Sequence, residues 1–168
     1  MPIPDFIKAL RAKVGTELLQ VPTVAVVAHD DQGRLLLVQH HESGLWGAPG
    51  GIVDPHELPA DAAVRETWEE AGVLVELQSL LGVFAGEHFS CTFKNGDRLA
   101  SVKTVFAGRV VRGMPKPDGV ETDHARYFTV EEMNQLSLAK YFEVIYRAMH
   151  SPGRSPYFAL PTWQPDSP

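Results

Sequence analysis

The segment PADAAVRETWEEAG, residues 59–72, constrains the fold most, because its punctuation admits only a short helix. Pro59 suits the first helical position and Gly72 supplies the stop, leaving about three and a half turns between them. Strand-like sequence flanks it on both sides. Before it, VPTVAVVAH turns at DDQG, residues 30–33, into RLLLVQHH. After it come VLVELQSLLGVFAGEHF, then SCTFKNGDR with Asn95-Gly96 as a hairpin turn, then LASVKTVFAGRVV. Two more helices are predicted. Phe6, Ile7, Leu10, Val14 and Leu18 recur at spacings of three or four across residues 3–19, and Pro22 is expected to end that helix. ARYFTV leads into a helix over 131–150, with Thr129 as its cap and Glu132 in capping-box register. This order predicts an α/β chain whose helices pack on a mixed sheet. With no repeat and no internal boundary, the 168 residues divide into an amphipathic arm over 1–20, one domain over 21–150 and a proline-rich, extended tail over 151–168.

Charge narrows the partners. Fifteen Lys and Arg against 21 Asp and Glu give a formal charge of -6, which argues against gripping a long nucleic acid but leaves room for a nucleotide bridged by a metal. The start, MPIPDFIKALRAK, has no long apolar run, and VAVVA at 24–28 is too short to cross a bilayer, so no membrane partner and a cytoplasmic location are expected. The single cysteine, Cys91, excludes an internal disulfide framework.

The helix over 59–72 carries the chemistry. At 100° per residue, Glu66, Glu69 and Glu70 fall within an arc of roughly 100°. Ala60, Val64, Thr67, Trp68 and Ala71 take the opposing arc and are expected to face the core. Glu66 and Glu70 are a like-charge i,i+4 pair, which costs a few tenths of a kcal/mol. Arg65, in register with Asp61 and Glu69, cannot neutralise all three acids. A hard divalent cation would: Mg2+ accepts carboxylate oxygens, keeps several waters and completes its shell with substrate phosphates. Gly50-Gly51 lets the backbone approach such an ion or a phosphate without a Cβ in the way. A phosphoanhydride there would lose charge to the ion, a bound water would become a better nucleophile, and a carboxylate would serve as base. A solvated acidic helix is the plainer alternative at this point.

Gly51, Glu57 and the run Arg65-Glu66-Thr67-Trp68-Glu69-Glu70-Ala71-Gly72-Val73 resemble the Nudix box of the Nudix hydrolases, the MutT-like family. Leu45-Trp46 and Pro49-Gly50 resemble the family's approach to the box, and the likeness extends over about residues 21–148. The resemblance implies an α/β/α Nudix sandwich with a mixed sheet between helices. It implies Mg2+, replaceable by Mn2+, with Glu66, Glu69, Glu70 and the Gly50 carbonyl as metal ligands. Glu57 would lie near the metal or support Arg65, and Arg65 would orient the carboxylates. Glu121, in the loop KPDGVETDH, stands where some relatives carry a glutamate base, although an ordinary loop acid is an equal reading of it. A homodimer is familiar in the family, and residues 3–19 offer a surface for one.

Three positions depart from the family pattern. Thr67 stands where an aliphatic residue is usual, and Asp54 and His56 replace the more frequent acid and glycine before Glu57, so no ligand role is given to Asp54. The expected activity is Mg2+-dependent hydrolysis of a phosphoanhydride in a nucleoside diphosphate linked to another moiety, of the ADP-ribose or sugar-nucleotide type. The alternatives are a pool-cleaning nucleoside triphosphate pyrophosphohydrolase, a catalytically silent nucleotide sensor and an interaction protein with an acidic helix. The histidines lack zinc-site spacing, and no P-loop, dinucleotide fingerprint or serine-hydrolase elbow is present. Trp46, Phe84, Phe89, Phe93 and Tyr127 are candidates for base stacking; Lys94, Arg98, Lys103, Lys116 and His124 are candidates for phosphate contacts.

Overall fold

The computed structural model describes residues 3–150 and 156–159. Its elements in chain order are α1 (Asp5–Val14), β1 (Leu19–His29), β2 (Leu35–His40), β3 (Trp46–Gly47), α2 (Pro59–Ala71), β4 (Val73–Phe84), β5 (Ser90–Thr92), β6 (Arg98–Gly113), β7 (Thr122–Phe128), α3 (Val130–Met133) and α4 (Lys140–His150). The strands form one seven-stranded sheet ordered β3-β2-β1-β6-β4, with β5 on β6 and β7 on β2. Parallel pairing of β1 with β6 among antiparallel neighbours makes it mixed.

Helices cover both faces. Ala62, Ala63 and Ala71 of α2 pack with Val24, Val26, Leu36, Val73 and Val75 on one side. Met133 of α3 and Phe142 and Ile145 of α4 pack with Val27, Leu37, Phe84, Val105 and Phe128 on the other. The expected α/β/α sandwich is therefore present. Alternate strand residues feed alternate cores, as the two-residue period of a strand requires. Among the described residues no helix is long and apolar enough to cross a membrane.

Four local expectations need correction. The first helix spans Asp5–Val14 rather than 3–19, because Gly15 takes φ 60° and breaks it. Pro22 lies inside β1, where its carbonyl accepts from the Val53 amide at 3.2 Å. The helix expected over 131–150 is two helices, since Ser137 and Ala139 exchange backbone hydrogen bonds with Trp46 (2.9 and 2.8 Å). Trp68 and Ala60 do not face the core; both are exposed, and Trp68 lies under the Arg112 guanidinium at 5.9 Å. The capping box at Thr129 and Glu132 is present. The hairpin at Asn95-Gly96 closes through the Phe93 amide on the Asp97 carbonyl, 2.9 Å.

Arg11 ties α1 to the β5–β6 hairpin, donating to the Arg98 carbonyl at 2.6 Å and facing Asp97 at 3.6 Å. Of the tail predicted over 151–168, only 156–159 are described; Tyr157 bridges Gly82 and stacks on Phe84 with ring centroids 4.8 Å apart.

Candidate active site

The site begins where the sheet splits. β1 and β2 pair only at His29 and Leu35, so the two strands diverge from that point. Residues 49–53 enter the wedge instead: the Val24 and Val26 amides donate to the Gly51 and Pro49 carbonyls (2.9 and 3.0 Å). This threads Gly50-Gly51 between β1 and α2. Gly50 has φ 155°, and a Cβ there would run into the Val24 carbonyl and the Ala25 backbone. A Cβ on Gly51 would lie 2.5 Å from the Glu66 carboxylate carbon. Both glycines are required by close approach.

The small residues Ala62, Ala63, Thr67 and Ala71 let α2 lie close on the sheet, which carries its inner carboxylates below the surface. Glu66 and Glu70 are 4% and 3% exposed. Glu70 accepts from the Gly50 amide at 2.9 Å. Arg65 is held by Glu57 in a two-pronged pair (2.7 and 2.8 Å) and donates onward to Glu66 at 2.8 Å and Glu69 at 3.0 Å. Such forked charge-assisted contacts fix orientation as well as charge. The Arg65 pairing lowers the Glu57 pKa and raises that of Arg65 itself.

Burial dominates the inner pair. It pushes Glu66 up to about 7 against the pull of Arg65, with Glu69 and Glu121 adding repulsion. Burial also pushes Glu70 up to about 8, opposed by the Gly50 amide and reinforced by Glu66 and Glu121. The cluster thus crowds more carboxyls below the surface than Arg65 and Lys103 can pair. Among the described residues no three acidic, His or Cys side chains already converge on one point; Arg65 and the Gly50 amide engage the oxygens instead. A buried, like-charged, all-oxygen donor set fits a hard divalent cation.

Glu121 reaches the same cluster from the turn before β7. Its amide donates to Asp118 at 3.1 Å and its carbonyl accepts from the His41 amide at 2.7 Å. The buried Thr122 hydroxyl contacts Asp118 at 3.0 Å and donates to the Glu70 carbonyl at 2.9 Å, tying this turn to the last turn of α2.

A second set of polar groups stands on the α4 side of the split. The Tyr141 hydroxyl donates to the Ala48 carbonyl at 3.0 Å and lies 3.1 Å from His40 Nε2. Because the phenol proton goes to Ala48, His40 donates to Tyr141 from Nε2, and a neutral ring suffices for that. Burial and the Lys103 charge agree with that, pushing His40 down to about 4. Lys103 donates to the Val24 carbonyl at 3.3 Å and lies over the Tyr141 ring at 5.1 Å.

Hydrogen bonds link Gly50 to Glu70 and Arg65 to Glu57, Glu66 and Glu69, while Glu121 acts on Glu66 and Glu70 through its charge. Asp54 stays apart, its amide serving as a donor to Glu57 at 3.0 Å. Trp46, Phe84 and Phe89 are core residues, Phe93 is exposed and Tyr127 packs under Arg34 at 5.4 Å. His124 stacks on Trp46 with centroids 6.3 Å apart, and Arg98 pairs with Glu17 at 2.8 Å. The Lys116 backbone packs against Gly72, and Lys94 lies exposed in the hairpin. Tyr141, Asp118 and Thr122 were not singled out from sequence. An Asp four residues before a Thr in a turn-rich loop was the available signal for the last two.

Comparison with known proteins agrees with this geometry. The NUDIX domain family matches residues 19–149. A putative 8-oxo-dGTP diphosphatase of Bacillus subtilis is 29% identical over 136 residues, covering 81% of this chain and 70% of that protein. A MutT-like protein of Streptomyces ambofaciens is 40% identical over 67 residues, 40% of this chain and 43% of the relative, so the match spans less than half of that protein. Among solved structures, a MutT NUDIX hydrolase from Burkholderia pseudomallei superposes with TM-score 0.62 at 25% identity, covering 77% of this chain and 98% of that one. The family match runs across the sheet and the box residues meet at its split: the chain belongs to the NUDIX domain family of MutT-like Nudix hydrolases.

Proposed function

We propose that the protein hydrolyses a phosphoanhydride bond in a nucleoside diphosphate linked to another moiety, of the ADP-ribose or sugar-nucleotide type. Glu66, Glu69, Glu70 and the Gly50 carbonyl would hold Mg2+, or Mn2+ in its place. The observation that carries this reading is the burial of Glu66 and Glu70 at 4% and 3% exposure with their charge only partly offset. When bound, such an ion withdraws charge from the phosphates and acidifies a coordinated water. Glu57 and Arg65 orient Glu66 and Glu69, and the Gly50 amide orients Glu70. Glu121 is our candidate for the proton acceptor, because its turn is braced from both sides and faces Glu66 and Glu70. α1 leaves Leu10 and Val14 exposed, the surface on which we place self-association.

A second reading, nucleoside triphosphate pyrophosphohydrolysis, is favoured by the Bacillus relative, whose name is putative 8-oxo-dGTP diphosphatase and which matches 81% of this chain. One screen decides between them. The purified protein is assayed with Mg2+ on ADP-ribose, sugar nucleotides, dinucleoside polyphosphates and common or oxidised nucleoside triphosphates, with Glu69→Gln alongside and the products resolved. Metal-dependent cleavage lost in Glu69→Gln supports the site, and the bond cut selects the class. Tight nucleotide binding without turnover on any of them would make the protein a sensor.

A further inference from the structure

Lys103 occupies the middle of β6, flanked in register by Thr23 on β1 and Phe84 on β4. A lysine on an inward-facing position of a central strand is costly unless its charge has a use or a partner. Protein encloses the head group, yet the residue keeps some accessible surface, and the same holds for His40 and Tyr141 beside it. Together they stand part-buried at the sheet split rather than in a sealed core.

At this corner Lys103 keeps donor capacity that the described residues do not use. Among the described residues Lys103 spends one of its three protons, on the Val24 carbonyl, and forms no ion pair within 4.0 Å. The hydroxyl of Thr23, its register partner, is buried and has no hydrogen-bond partner among the described residues. Tyr141 has given its proton to Ala48, and His40 has given its Nε2 proton to Tyr141. The Val24 carbonyl that receives Lys103 also abuts Gly50, whose amide holds Glu70, so the ammonium borders the carboxylate cluster. Burial lowers its pKa to about 8, opposed by Glu70 and Glu66. An anionic oxygen is what this corner lacks.

We infer that the Lys103 ammonium binds a phosphate oxygen of the nucleotide, forming a cationic subsite next to the carboxylates that would hold the metal. This rests on the phosphoanhydride reading of the site. Lys103 anchors the substrate and the carboxylates act at the bond cut, so its loss raises KM and Kd far more than it lowers kcat.

The test compares wild type, Lys103→Met and Lys103→Arg, using α,β-methylene-ADP in Mg2+ as the binding probe and adenosine as its phosphate-free control. Thermal melting verifies that each variant folds. Lys103→Met is expected to weaken α,β-methylene-ADP at least about tenfold, to flatten its dependence on salt and to leave adenosine unaffected, with partial rescue by Lys103→Arg. Unchanged affinity in Lys103→Met would overturn the inference, as would an equal loss for adenosine, or a fall in kcat at constant KM, which would make Lys103 a counter-ion of Glu70. Should wild type neither bind the probe nor turn over any nucleotide in the screen, the phosphoanhydride reading itself falls. Wild-type turnover with an unaffected Lys103→Met removes the subsite alone.

Discussion

Replacing Asp118 with alanine isolates the brace behind Glu121. The Asp118 carboxylate accepts from the amides of Val120 at 3.0 Å, Glu121 at 3.1 Å and Thr122 at 3.0 Å. Burial pushes its pKa up, but these amides and the Thr122 hydroxyl more than offset that and bring it from 3.8 to about 2. A shift of that size corresponds to a ceiling of about 2.5 kcal/mol. Asp118 is exposed, so water screens the interaction and can hydrate the freed amides, leaving about 1 kcal/mol. A carboxylate whose folded pKa is depressed stabilises the fold above its unfolded value, and the benefit disappears as pH falls through the folded one. Urea melts should therefore show Asp118→Ala weaker than wild type by a constant amount from about pH 7 to about pH 5, with the gap closing from pH 3.8 towards about 2. Releasing one side of the Glu121 backbone should also lower kcat about tenfold at similar KM, since small misplacements of a reacting group are expensive. A stability gap still at full size at about pH 2 would refute the electrostatic account. Wild-type kcat in the variant would show that the brace does not position Glu121.

Two further substitutions probe the helix and the α4 side of the split. Thr67 is fully buried and its hydroxyl returns to the Ala63 carbonyl at 2.7 Å, so Thr67→Val removes a redundant bond at nearly constant volume. Its stability should stay within about 1 kcal/mol of wild type and its turnover should be unchanged; a large loss of either in thermal melts or the nucleotide assay would give the hydroxyl another role. In Gly47→Ala the new Cβ meets the Tyr141 hydroxyl and lies 3.2 Å from His40 Nε2. That overpacking should cost about 1–3 kcal/mol. Adding Tyr141→Phe should recover part of the loss, and thermal melts showing simple additivity would exclude the clash as its cause.

The helix α2 was legible because its signals are local. Pro59 and Gly72 mark its ends as expected, Gly72 adopting the left-handed φ of 67°. The direction of its buried face was not. Glu66 and Glu70 are buried while Trp68 is exposed, the reverse of what hydropathy assigns. Hydropathy assumes that charge seeks water, and this site gathers charge below the surface. The helix over 131–150 was split for a different reason: the backbone at Ser137 and Ala139 satisfies Trp46, a partner remote in sequence. His56 kept one local trace. It is the non-glycine residue at positive φ, 70°, among the described residues.

By itself, the sequence determined the spacing of Glu66, Glu69 and Glu70 around Arg65, because an α-helix converts intervals of three and four residues into neighbours. The tertiary structure alone decided what those carboxylates meet. Gly50-Gly51 reaches Glu66 and Glu70 only because β1 and β2 diverge after one pair and admit residues 49–53 between them. Lys103 of β6, Tyr141 of α4 and His40 of β2 meet beside the same split. The charges of Glu66 and Glu70 become costly to bury, and so ready for a cation, when packing removes them from water. Desolvation depends on all neighbours at once, which no interval along the chain encodes.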